Sequence, residues 1–126
     1  MQDVHDLTHV HLELGREPGH PEGDSSYGYD LLLPLGADGR LDAAMWKTHR
    51  DLCRVRRFGK GEPDRIGVLN RKPGGQWFFD YDSESESDNE TGYHFGDEQF
   101  VVGEYVSLIE VDGETHAYRV TKVRSV

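Results

Sequence analysis

The chain is poor in the features that mark secreted, membrane-spanning and disulfide-bonded proteins. Its single cysteine, Cys53, cannot form an internal disulfide, so the fold must be stabilised by packing. No apolar run approaches the roughly 20 residues that a membrane helix needs. The first residues also lack the basic and apolar regions of a signal peptide. We therefore expect a cytoplasmic protein that does not interact with a membrane.

The sequence also lacks the short motifs of the common enzyme classes. It has no glycine-rich phosphate loop, no nucleophile elbow, no paired-cysteine metal motif and no nucleotide-binding fingerprint. His49 and Cys53 have the spacing that brings an imidazole to a thiolate on a helix, but two core residues would produce the same pattern. No catalytic residue is predicted, and a non-catalytic domain is favoured.

Positive charge is scarce and unevenly distributed. The net charge is -10, which disfavours general attraction to nucleic acid. Nine basic and three acidic residues lie between Lys47 and Lys72, so this segment carries +6 and the remainder carries -16. We therefore expect an anionic partner to bind this basic segment rather than the rest of the chain.

Alternating apolar and polar residues predict a mostly β fold. Strands are predicted over 8–14, 27–33, 54–58, 65–70, 76–82, 93–95 and 99–102, followed by a β-hairpin over 104–123 that turns at Asp112 and Gly113. Glycine-rich turns separate these segments. This pattern is typical of a small antiparallel β-barrel or β-sandwich with about seven to nine short strands. We expect a single domain over 1–126.

One short helix is predicted near 42–52. Asp42 can cap its N-terminus, and Met45, His49 and Leu52 would share one face. Asp38 and Gly39 offer an alternative, because a turn there would make 40–46 a strand. Outside the regular elements, a flexible loop is predicted at 15–26 and a mobile acidic loop at 83–90.

The strand pattern also predicts which side chains are buried. Trp77, Phe79 and Tyr81 would share a buried face with Ile66 and Val68. In the final hairpin, a two-residue turn would place His116 opposite Ile109 on the more apolar face, with Tyr105 and Tyr118.

His9 and His11 form the sharpest metal-binding candidate. On a strand, their spacing places both imidazoles and the carboxylate of Glu13 on one face. His94 or His116 from another strand would complete a zinc-type site. The simpler interpretation is that His9, His11 and Glu13 form the polar face of an amphipathic strand.

Five arginines form the candidate ligand-binding set. Arg54 and Arg56 would share one face of a strand, and Arg57, Arg65 and Arg71 lie close to them in the sequence. Such a patch suits an anionic ligand or a single-stranded nucleic acid. The alternative is internal pairing with the acidic segment 80–90, which carries -6.

Four segments resemble those of a family of small bacterial proteins without an assigned function. They are Cys53-Arg-Val-Arg-Arg-Phe58, Gly74-Gly-Gln-Trp-Phe-Phe-Asp-Tyr-Asp82, Gly92-Tyr-His-Phe-Gly96 and Gly103-Glu-Tyr-Val-Ser107. The resemblance implies a stand-alone bacterial domain and brings no catalytic residue, substrate or partner with it.

Three functional hypotheses follow. The favoured one is a binding or accessory domain that uses its basic strands over 54–72 and the adjacent acidic loop to bind an unknown protein or a small anionic ligand. The second is a metal-binding protein or metal-dependent enzyme that uses His9 and His11. The third is nucleic-acid binding through Arg54, Arg56 and Arg57, which the net charge makes less favourable.

Overall fold

A computed structural model of the chain describes residues 7–16, 19, 21–81, 91–92, 95–110 and 113–125. It confirms the predicted fold class, because antiparallel strands form a curled, barrel-shaped sheet with one short helical segment. The strands are β1 (Thr8–Leu14), β2 (Asp24–Leu33), β3 (Arg54–Gly59), β4 (Glu62–Arg71), β5 (Trp77–Tyr81), β6 (Thr91–Gly92), β7 (Tyr105–Ile109) and β8 (Thr115–Ser125). The helical segment is α1 (Ala43–His49) with the 3₁₀ turn Arg50–Leu52, and a second 3₁₀ turn covers Phe95–Asp97.

The strands are arranged in their sequence order. Each pairs antiparallel with the next, and β8 returns to pair with β1, which closes the sheet into a barrel. Within the described ranges, seven strands of five or more residues form the curled wall. Among the residues that the structure describes, β6 pairs with β5 at Thr91 and Phe78 and with β7 at Thr91 and Gly92.

The core lies inside the curled sheet. Along β1, Val10, Leu12 and Leu14 are buried on the inward face, as their alternation predicts. Gly28 on β2 allows β1 to approach closely, because a Cβ there would lie 1.9 Å from the carbonyl oxygen of Leu12. The buried hydrophobic core comprises Leu7, Val10, Leu12, Leu14, Tyr29, Leu31, Leu33, Trp46, Cys53, Val55, Leu69, Trp77, Phe79, Tyr81, Phe95, Phe100, Val106, Leu108, Tyr118 and Val120.

The helix forms where it was predicted, and the alternative strand over 40–46 is wrong. Asp42 caps α1 by accepting a hydrogen bond from the backbone N–H of Met45 at 3.0 Å. Trp46 is buried, and its indole Nε1–H donates to the carbonyl oxygen of Leu69 at 3.0 Å. Residues 40–46 form no strand, and the β-pairing there is limited to an isolated bridge between Leu35 and Leu41.

Some predicted boundaries differ from the structure. β2 begins at Asp24, so the loop predicted at 15–26 is shorter. No strand forms over 99–102, and Phe95 lies in a 3₁₀ turn rather than a strand. The acidic loop predicted at 83–90 lies outside the described residues, and the single domain over 1–126 stays a prediction.

The predicted buried face of the β4–β5 hairpin is only half right. Trp77, Phe79 and Tyr81 are buried, but Ile66 lies on the outer face with 38% of its surface exposed. The inward positions of β4 are Gly67 and Leu69, which pair with Tyr81 and Phe79.

The final hairpin is confirmed, but its predicted register is wrong. Leu108, rather than Ile109, lies opposite His116. The backbone N–H of Glu110 donates to the carbonyl oxygen of Glu114 at 3.0 Å, so three residues rather than two separate these strand ends. Gly113, the last of the three, adopts φ +80°.

This one-residue shift exchanges the two faces of β7. Val106 and Leu108 are buried in the barrel, whereas Tyr105 is 49% exposed. His116 still points to the inward side, which it shares with Tyr118.

Within the described ranges, no helix is long and apolar enough to cross a membrane.

Candidate functional site

The sequence-predicted histidines His9 and His11 lie side by side on the outer face of β1. In the β1–β2 register, His11 faces Asp30 and His9 faces Leu32. Their inward neighbours Val10 and Leu12 are fully buried, which fixes the two imidazoles on the outer surface.

Asp30 joins the two histidines. His9 Nε2 and His11 Nδ1 lie 2.9 Å and 2.6 Å from the same oxygen, Asp30 Oδ1. With a proton on each of these nitrogens, both rings donate to that oxygen. The second ring nitrogen of His11 is 3.2 Å from Glu13 Oε2, so a fully protonated His11 bridges the two carboxylates.

The other oxygen of Asp30 binds an arginine from β3. Arg56 Nη2 lies 2.5 Å from Asp30 Oδ2, and Arg56 Nη1 lies 2.8 Å from Asp64 Oδ2. The Asp30 side chain is 18% exposed. Burial on its own would raise the pKa of Asp30, but hydrogen bonds from His11, Arg56 and His9 outweigh burial and lower it to about 2.

Phe58 is the aromatic member of this cluster. The His11 ring stacks on it with a centroid distance of 5.4 Å and an interplanar angle of 13°. The guanidinium carbon of Arg56 lies 5.4 Å from the centre of the same ring. These contacts orient the imidazole and the guanidinium along the sheet.

More cations from β3 and β8 surround this cluster. Lys122 lies opposite His11, and Arg124 lies opposite His9. Arg54 lies on the same outer face of β3 as Arg56, and all four cations are exposed. The basic outer face is defined here by His9, His11, Asp30, Arg54, Arg56, Lys122 and Arg124.

The basic outer face has the opposite sign to the chain. Four cations and one carboxylate give it a formal charge of +3 with neutral histidines, or +1 when the bordering Glu13 and Asp64 are included, whereas the chain carries -10. Lys122 and Arg124 form no ion pair with any carboxylate of the described ranges. The face also contains a depression of about 230 Å³, whose lining includes Leu32, Ile66, Arg54 and Arg56.

The remaining predicted residues lie elsewhere. Arg57 faces inward with Tyr29, its partner across β2 and β3, and reaches Glu110 Oε1 at 3.5 Å. Arg65 lies opposite Arg57 and packs 4.2 Å above the centre of the Tyr81 ring. The five predicted arginines are therefore divided between the two faces of the sheet.

Arg71 is the member of the set at the other end of β4. Its guanidinium carbon lies 4.9 Å from the centre of the Trp77 ring, and its Nε–H donates to the carbonyl oxygen of Gly75 at 3.1 Å. Arg71 therefore supports the β4–β5 turn and does not join Arg54 and Arg56.

His116 belongs to a second polar cluster inside the barrel. Its Nε2 is 3.8 Å from Glu110 Oε1, and the Glu110 side chain is only 8% exposed. The hydroxyls of Tyr29 and Tyr118 each donate to Glu110 Oε2 at 2.5 Å. Burial, then the charge and hydrogen bond of Glu110, raise the pKa of Tyr118. These bonds satisfy a buried carboxylate, which makes the cluster part of the packed interior.

No single metal site gathers the predicted histidines that the structure describes. His9 and His11 are on the outer face, His116 is on the inner side, and His94 lies outside the described residues. Among the side chains that can be placed, no group of three or more His, Cys, Asp or Glu residues is arranged to hold a metal ion. Arg56 also competes with a cation for Asp30. Zinc binding stays a prediction.

His49 and Cys53 form a core contact rather than a nucleophilic pair. The Cys53 thiol is fully buried and donates to the backbone carbonyl oxygen of His49 at 3.2 Å. Burial raises the pKa of Cys53 to about 11, which suppresses the reactive thiolate.

Sequence reasoning did not find Asp30, Lys122 and Arg124. Asp30 follows a buried tyrosine in an ordinary strand, and the two cations lie near the end of the chain. These three residues alternate with the apolar residues Tyr29, Leu31 and Val123. That alternation is the sequence pattern that predicts outward-facing side chains for them. Their proximity to His9 and His11, however, depends on the pairing of β1 with both β2 and β8.

No family model, curated protein or solved structure matches this chain. The resemblance to small bacterial proteins therefore stays a prediction, and the function has to be inferred from the residues.

Proposed function

We propose that the protein is a non-catalytic binding domain whose basic outer face accepts an anionic group of a partner. The observation that carries this proposal is the concentration of Arg54, Arg56, Lys122 and Arg124 on one face of a chain with net charge -10. A local field of opposite sign selects and orients an anionic partner at short range.

The internal contacts of the face support this role. Asp30 holds His9, His11 and Arg56 in fixed positions, so less side-chain freedom is lost when a ligand binds. Lys122 and Arg124, which pair with no placed carboxylate, supply cations for a ligand. The side chains around Asp30 are therefore held in place, whereas those of Lys122 and Arg124 can adjust to the ligand.

The proposal is tested by binding of a fluorescent glutamate-rich peptide, measured by anisotropy at several salt concentrations. The K122Q/R124Q variant removes two cations that would pair with carboxylates of the peptide, so binding should weaken about threefold to tenfold. The matched control is R40Q/K72Q, which removes the same charge from exposed turns elsewhere. Equal weakening by the two double variants, or no binding at low salt, would contradict the proposal.

Nucleic-acid binding makes a different prediction. A single-stranded oligonucleotide should then bind more tightly than the peptide, with the steep salt dependence of several phosphate contacts. Since Arg57 lies on the inner side, Arg54 and Arg56 are the only members of that predicted set on the basic outer face.

A further inference from the structure

The depression on the basic outer face joins apolar surface to positive charge. Ile66 is one of the few exposed large hydrophobic residues in the described ranges, and it lies directly opposite Arg56 on the neighbouring strand. Leu32 and Arg54 line the same depression of about 230 Å³. Arg54 and Arg56 lie at its rim beside Asp30, whose carboxylate is already bound by Arg56 and both histidines. An apolar floor with this rim is suited to an apolar group that carries negative charge beside it.

We propose that the occupant of this depression is an acidic peptide segment of a partner protein, anchored by one aliphatic side chain. This inference rests on the proposed function and specifies the chemical class of the ligand. The aliphatic side chain packs on Ile66 and Leu32, and neighbouring carboxylates of the peptide pair with Arg54, Lys122 and Arg124.

Charge and shape favour a peptide over a simple anion. The cations lie on two strands that are three strand spacings apart, because β1 and β2 separate Lys122 and Arg124 on β8 from Arg54 on β3. Adjacent strands are about 4.8 Å apart, so this set spans more than a single carboxylate covers. An extended segment with several carboxylates reaches both sides while its central side chain fills the depression.

The test compares two glutamate-rich peptides that differ only in a central leucine or alanine. Burying the additional apolar surface should make the leucine peptide bind about tenfold more tightly. The difference should persist in high salt, where the ionic part of the affinity falls. In I66T, which keeps a β-branched strand residue, the preference should decrease to about threefold or less. The matched control V102T changes an exposed valine outside the face and should keep the full preference.

The outcomes separate this inference from the proposed function. Equal binding of both peptides, with salt dependence retained, would overturn the aliphatic anchor and leave the binding function intact. No binding of either peptide at low salt would overturn the function itself. Octanoate that binds more tightly than the leucine peptide would identify a small amphipathic anion as the occupant. A dimer that I66T abolishes in sedimentation would identify a second copy.

Discussion

At the scale of single residues, Asp30 organises the surface around it. Its two oxygens accept hydrogen bonds from His9, His11 and Arg56, which come from two different strands. Removal of this carboxylate would leave three donors close together and repelling one another when the histidines are protonated. Asp30 is therefore a structural counter-ion within a cationic face.

Asp30 should make the stability of the protein depend on pH in the acid range. Its pKa is lowered from 3.8 to about 2 in the folded state, so the folded protein binds the Asp30 proton less readily than the unfolded chain. The resulting stability, about 2 kcal/mol, is present above pH 4 and is lost as the pH falls through 2. Urea unfolding of D30N should show a deficit at pH 5 that shrinks towards pH 2.

The exposed carboxylate Asp51 provides the control for this experiment, because D51N removes the same charge outside the cluster. A constant deficit for D30N from pH 5 to pH 2 would show that Asp30 acts through packing rather than through its charge.

At the scale of elements, local patterns predicted strands better than they predicted register. β1 was predicted with its full bounds because buried leucines and a valine alternate with polar residues over its whole length. The faces of β7 were exchanged because three residues, not two, lie between Glu110 and Glu114. Local alternation predicts that His9 and His11 share a face. Their contact with Asp30 depends on the pairing of β1 with β2, which the local sequence pattern does not specify.

At the scale of the whole molecule, a small barrel separates two polar groups that the sequence places together. Arg56 and Arg57 are adjacent, yet one binds Asp30 on the outer face and the other reaches Glu110 on the inner side. Strand alternation therefore divides the basic segment into a half on the exposed outer face and a half that pairs with the interior. Overall charge alone does not reveal this division.

The acidic segment 83–90 should weaken binding of an anionic partner through its charge. It contributes four carboxylates, Glu84, Glu86, Asp88 and Glu90, to a chain with net charge -10. Replacing it with glycine and serine at constant length removes long-range repulsion and a competitor for the cations, so the affinity for the glutamate-rich peptide should increase. The increase should disappear at high salt, because the Debye length falls to about 3 Å at 1 M ionic strength. An increase that survives high salt would mean that the segment blocks the face by its bulk. A decrease would mean that residues 83–90 themselves contact the partner.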